Sequence, residues 1–143
     1  MPLTMDQLKS IDLFSGLERR DLQSLVNSFK EVHFAAGEDI VSEDKGGVGF
    51  FIIEDGEAKV TYRGEERARM KPGDSFGEIA LIDEGLRTAT VTAVTDLTTY
   101  GLTSWAFRPL VEHNPSIAWK LLQIMSKRLR EAQQAAQAAQ ASG

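Results

Sequence analysis

The chain changes its hydrophobic period twice. Apolar residues sit at helical spacing at both ends, and in short β-rich runs between them. At the start, Leu8, Ile11, Leu13, Phe14 and Leu17 cluster, and Leu22, Leu25, Val26 and Phe29 recur every three or four residues. This predicts helices over 4–29, with Ser15-Gly16 as a break. From there to Leu102, strand-like runs appear at Glu31–Phe34, Asp39–Val41, Phe50–Ile53, Ala58–Tyr62, Arg67–Met70, Thr88–Val94 and Leu97–Leu102. Ala36-Gly37, Lys45-Gly46-Gly47, Asp55-Gly56, Arg63-Gly64, Lys71-Pro72-Gly73-Asp74 and Glu84-Gly85 separate them. Many short, regularly punctuated strands imply a sandwich or jelly roll. The fold class is therefore α+β, a roll of strands over 31–102 between two sets of helices.

The second change falls at Ser104, which is expected to cap a short helix through Val111 that Pro109 strains or delays. Asn114-Pro115 then reads as an N-cap followed by proline at the first helical position. The helix beyond carries Ile117, Leu121, Ile124, Met125 and Leu129 on one face. Its tail, Gln133 to Gln140, is alanine and glutamine, either a solvated extension or a frayed end. These helices complete a single domain, 1–143, with 104–140 as its C-terminal part.

Between the predicted strands lies a stretch of another kind, Phe76 to Val91. It holds Gly77, Glu78, a short apolar turn and one arginine, Arg87. A cyclic phosphate on a ribose needs such a set. The guanidinium offers a fork to phosphate oxygens. Gly77 permits close backbone approach, and a helical turn starting near Glu78 would aim N–H groups at the anion. The Glu78 carboxylate, an acceptor only, suits a sugar hydroxyl. Each residue also has a plainer reading. Arg87 could pair with Asp83 or Glu84, and Glu78 could serve as a first-turn carboxylate or an arginine partner.

The stretch resembles the phosphate-binding cassette of the cyclic-nucleotide-binding domain family. That family includes sensor domains of catabolite-activator-type regulators, regulatory subunits of cyclic-nucleotide-dependent kinases, and cyclic-nucleotide-gated channels. Its pattern, F-G-E-aliphatic-A-L, a short loop, then R-small-A-(S/T)-V, is met from Phe76 to Val91. Leu13-Phe14-Ser15-Gly16-Leu17 and Phe50 to Gly56 are similar to two further family motifs. The resemblance implies an eight-stranded β-roll (a double-stranded jelly roll) flanked by N-terminal and C-terminal helices. It implies that Gly77, Glu78, Ile79, Ala80, Arg87, Thr88 and Ala89 hold phosphate and ribose. It places Val60, Ala68, Met70 and Arg128 around the base, where plain core residues and a solvated helix arginine are the alternatives. Thr88 fits either cyclic AMP or cyclic GMP, and cyclic AMP is the expected ligand.

Composition narrows the remaining classes. The net charge of −5 argues against nucleic acid and anionic membranes as partners. The cluster Arg63, Arg67, Arg69 and Lys71 alternates with Glu65, Glu66, Ala68 and Met70, as in a hairpin with one wet face. Only two histidines, His33 and His113, and no cysteine are present, so neither a metal cupin centre nor a thiolate site is expected. No serine elbow marks a hydrolase. A protein that is not an enzyme and needs no cofactor is expected, cytoplasmic because the start lacks a secretion signal. The reading is a stand-alone sensor whose C-terminal helix signals occupancy to an effector protein. A homodimer would form through the face of Ile117, Leu121, Ile124 and Arg128. The alternatives are an unused cassette in an interaction or dimerisation module, and a sensor detached from a transcription regulator, channel or kinase.

Overall fold

The computed structural model describes residues 3–41, 49–77 and 89–142. Helix α1, Met5–Lys9, opens with a reciprocal cap: Gln7 N donates to Thr4 Oγ1 at 3.1 Å, and Thr4 N to Gln7 Oε1 at 2.7 Å. A 3-10 turn at Asp12–Phe14 follows, and then α2, Arg19–Ser28. The break expected at Ser15-Gly16 falls between the 3-10 turn and α2, and a second one at Ser10-Ile11 divides the first expected helix.

Among the described residues eight strands follow: β1 Lys30–Phe34, β2 Asp39–Val41, β3 Gly49–Asp55, β4 Ala58–Tyr62, β5 Glu65–Met70, β6 Ser75–Phe76, β7 Thr90–Ala93 and β8 Leu97–Thr103. They form two antiparallel four-stranded sheets, ordered β1-β8-β3-β6 and β2-β7-β4-β5. Strand β3 is apolar on both sides because it is covered on both sides. Phe50 and Ile52 pack with the helices, and Ile53 packs inside the roll with Ala58, Val91, Ala93 and Leu97.

The helical cluster joins Leu8, Phe14, Leu25 and Phe29 to Phe107, Ile117, Leu121 and Ile124 across the β1-β8-β3 sheet. Phe50 sits edge-on to Phe14 at 5.8 Å and to Phe29 at 6.3 Å, a favoured aromatic geometry. Helix α3, Ser104–His113, and α4, Pro115–Ser142, close the chain.

Five expectations change. Strand β6 falls where no run was expected: two residues are too short to show a period. The β4–β5 hairpin is wet on both faces of β5, since Glu65 through Arg69 are all exposed. Thr103 rather than Ser104 caps α3, its Oγ1 accepting from Ala106 N at 3.2 Å. Pro109 does not delay that helix, which begins at Ser104 and runs two residues past Val111 to His113, with the proline on its exposed side and Phe107 in the core. Asn114 keeps the N-cap's backbone role, its carbonyl accepting from Ile117 N, but its side chain donates back to Leu110 O at 2.9 Å.

Helix α4 departs further. Ile117, Leu121 and Ile124 are buried against the body, so that face is not available to a second copy. Leu129 is 62% exposed, because the helix has left the body by then and every residue from Ser126 to Gln140 is exposed. The alanine-glutamine tail is the solvated extension of α4.

Candidate functional site

In the β4–β5 pairing, Val60 lies opposite Ala68 and Ala58 opposite Met70. With a period of two, Val60, Ala68 and Met70 share one face of the hairpin. All three line a cavity of about 490 Å³, within the range of small-ligand sites. Arg128 of α4 lines the same cavity. The structure thus brings the four residues expected around the base to one space, although they come from three separate elements. Val60 and Met70 are half-buried and pack against the roll cluster, whereas Ala68 is exposed.

The rest of the wall was not anticipated. Ser10, Ile11 and Leu13 reach it from the N-terminal turn, Phe50 from β3, and Arg69, Asp74 and Ser75 from the hairpin and β6. Ser10 and Ile11 carry no sequence signal for this, because a turn's place over the roll follows from helix packing. Asp74 and Ser75 did carry one, standing immediately before the Phe76-Gly77 motif.

Local hydrogen bonds hold this rim. Ile53 N donates to Asp74 O at 2.9 Å, Gly73 N to Ile53 O at 2.8 Å, and Lys71 N to Asp74 Oδ2 at 2.9 Å. The turn before β6 is thereby pinned to β3. Arg69 donates to Glu66 at 3.0 Å and to Glu57 at 3.1 Å. Hydrogen bonding to Arg69 draws the Glu66 carboxyl below the usual carboxylate range, and bonding to Glu66 raises the guanidinium in turn. All three groups are solvated, so the pairing orients Arg69 more than it stabilises the fold.

The two ends of the cassette are also placed. Gly77 follows β6 with φ at +93°, a conformation that disfavours any side chain. Ala89 is half-buried immediately before β7. Glu78, Ile79, Ala80, Arg87 and Thr88, with the helical turn expected near Glu78, lie outside the described residues. Among the described residues, no three His, Cys, Asp or Glu side chains gather as a metal site. No helix among them is long and apolar enough to cross a membrane.

With this geometry in place, the relationships of the chain are informative. The family model for the cyclic nucleotide-binding domain matches residues 31–114, more than half of the sequence. The chain belongs to that family. It is 38% identical over 107 residues to the cAMP-dependent protein kinase regulatory subunit of Eremothecium gossypii, covering 74% of this chain and 23% of that one. It is 29% identical to the CRP-like cAMP-activated global transcriptional regulator of Mycobacterium tuberculosis, covering 88% and 59%. The chain therefore spans less than two thirds of these relatives. Among solved structures, the N-terminal domain of a transcriptional regulator from Streptomyces coelicolor A3(2) matches with a TM-score of 0.79 and 30% identity, covering 89% of this chain and 94% of that one. The Thermus thermophilus catabolite activator protein matches at 0.73 and 28%, covering 86% and 60%. These neighbours share the α+β roll with flanking helices.

Proposed function

We propose that the chain binds a cyclic nucleotide, cyclic AMP in preference to cyclic GMP, as a regulatory domain without catalytic chemistry. Phosphate and ribose would be held by Gly77, Glu78, Ile79, Ala80, Arg87, Thr88 and Ala89, with the base toward Val60, Ala68, Met70 and Arg128. One observation carries the reading: a single cavity gathers those four residues beside Ser75, which stands immediately before the Phe76-Gly77 motif. The names of the kinase regulatory subunit and the CRP-like regulator, both of which mention cAMP, support the choice of ligand.

The route to an output runs through α4. Its first turns are buried in the helical cluster and Arg128 faces the cavity, so ligand contact at Arg128 would bias the seating of the whole helix. A ligand shifts that equilibrium only by its difference in affinity for the two seatings. The resulting surface would be read by an effector protein.

Calorimetric titration with cyclic AMP and cyclic GMP tests this. Binding of both, tighter for cyclic AMP, is expected, and saturation at a hundred-fold excess should add about 2.7 kcal/mol of stability. Insensitivity to millimolar amounts of both would refute it. Arg87→Gln should weaken binding by several kcal/mol, since a phosphate would lose its counter-charge.

A second reading, an interaction or dimerisation module, draws on a different observation. Trp119, Leu122 and Leu129 are 65%, 58% and 62% exposed, and their spacing of three and seven places them on one stripe of α4. A homodimer through that stripe is compatible with either reading. Leu122→Glu should then convert a dimer to a monomer in sedimentation, and an unchanged sedimentation coefficient would exclude this seam.

A further inference from the structure

The chain has no cysteine, so its four methionines are its oxidisable sulfurs. They stand in different places. Met5 and Met125 pack against the helical cluster, and Met1 lies outside the described residues. Among the described methionines, Met70 is the one on the wall of the cavity between the hairpin, the N-terminal turn and α4. The other described side chains of that wall are aliphatic, aromatic, hydroxyl, carboxylate or guanidinium groups, none of which takes an oxygen atom from a peroxide as a thioether does.

The backbone fixes where this sulfur stays. Met70 ends β5 opposite Ala58, whose side chain is a buried methyl group. Directly after it, Lys71 N donates to Asp74 Oδ2, and Gly73 N donates to Ile53 O, so the strand end is tied to β3. Met70 is half-buried and packs against the roll cluster. Small oxidants in the open cavity can therefore meet it, and the pinned strand end keeps the modified residue on the wall. Val60 and Ala68 share its face of the hairpin, which is apolar at all three positions.

An oxygen added there changes the wall from apolar to polar. A sulfoxide covered by a ligand without a donor to meet it costs more than the thioether it replaces. A ligand in the cavity would in turn cover Met70. We propose that Met70 is a redox-sensitive modification site, and that its oxidation to the sulfoxide lowers the affinity of the cavity for nucleotide, a proposal that rests on the cyclic-nucleotide reading. The oxidant is hydrogen peroxide. The sulfur lone pair attacks one peroxide oxygen, the S–O bond forms as the O–O bond breaks, and the second oxygen leaves as water. Sulfur gives up two electrons and the peroxide accepts them. Reversal needs a sulfoxide reductase, whose thiols remove the oxygen as water and become a disulfide. Those thiols come from another protein, since this chain has none.

The test treats the whole chain with hydrogen peroxide and follows each methionine by peptide mass mapping, with calorimetric titration of cyclic AMP before and after. Without nucleotide, Met70 should gain one oxygen, and saturating cyclic AMP should slow that gain while changing the rate at Met5 little. The oxidised chain should bind cyclic AMP about ten-fold or more weakly. A sulfoxide reductase with a dithiol should restore the affinity, which unfolding by peroxide would not allow. Met70→Leu, compared with itself before and after peroxide, should keep the affinity it starts with, whereas Met125→Leu should lose affinity as the natural sequence does. Met70 left unmodified while Met5 and Met125 oxidise, an affinity that survives full oxidation of Met70, or an equal loss in Met70→Leu would overturn the proposal. An untreated chain that ignores cyclic AMP is a separate result: it would refute the cyclic-nucleotide reading, and this proposal with it.

Discussion

Two apolar clusters share strand β3 and are built differently. The helical cluster is made of large side chains, with Phe14, Phe50 and Phe107 nearly or completely buried beside seven buried leucines from the flanking helices and turns. Among the described residues, the roll cluster holds only Ile53, Ala58, Val91, Ala93 and Leu97 as buried members, two of them alanines. Large groups in contact bury more area and contribute more stability. The cavity of about 490 Å³ is walled by both clusters, by Leu13 and Phe50 of the helical cluster and by Val60 and Met70, which pack against the roll cluster. The difference teaches a division of labour: the helical cluster supplies most of the large buried side chains, and the ligand-sized space opens where that cluster meets the smaller side chains of the roll.

The strongest way to break this contrast is Phe14→Ala. Phe14 is 0% exposed and edge-on to Phe50, so its loss should cost about 3–5 kcal/mol in urea denaturation. A cost below that of Val91→Ala in the roll would reverse the assignment of stability to the helical side. Gly56→Ala probes the roll side through the backbone. Gly56 has φ at +96°, and a Cβ there would run into the Asp96 carbonyl and the Leu97 side chain. The expected loss exceeds about 1 kcal/mol, because strain adds to the clash, and thermal unfolding measures it.

A subtler test concerns Tyr100, the polar exception within the helical cluster. Among the described residues its hydroxyl is the buried side-chain oxygen without a hydrogen-bond partner. Burial chiefly, with the nearby negative charges of Glu54 and Glu31, pushes its ionisation upward. The sign follows from linkage. A folded-state value above the unfolded one, near 10, means full stability below pH 10 that is lost as pH rises through the folded value. Tyr100→Phe should therefore keep or slightly raise stability at pH 7, since an unmet buried hydroxyl disappears, and remove part of the alkaline loss. Parallel denaturation curves at pH 7 and pH 10.5 would show it. An equal alkaline loss in both proteins would place the effect elsewhere.

The smallest expected effect is Arg63→Gly, which relieves the φ of +51° in the β4–β5 turn and should raise stability by about 0.5–1 kcal/mol in thermal unfolding. A loss instead would mean that stacking on Tyr62, whose ring centre lies 5.2 Å from the Arg63 guanidinium carbon, outweighs the backbone strain.

Local pattern settled much of this protein. The period change near residue 30 and its reversal near 103 came from side-chain spacing alone, and β2 and β4 keep the bounds that spacing implied. Pro115 opens α4 as its fixed φ dictates. The base-side set was legible only through resemblance to a family, because nothing in Val60, Ala68, Met70 or Arg128 by itself distinguishes a wall from a core. Packing decided the rest. Thr103 and Ser104 are both good caps, and the end of β8 selected the first. Ile124 and Leu129 carry the same apolar pattern, yet one is 8% and the other 62% exposed, because the body of the roll ends between them. Spacing specifies which side of a helix is apolar, but how far along that helix a partner surface reaches is a property of the assembled tertiary structure. The same holds for the cavity wall, where Ser10, Phe50 and Arg128 meet only after three separate elements have docked.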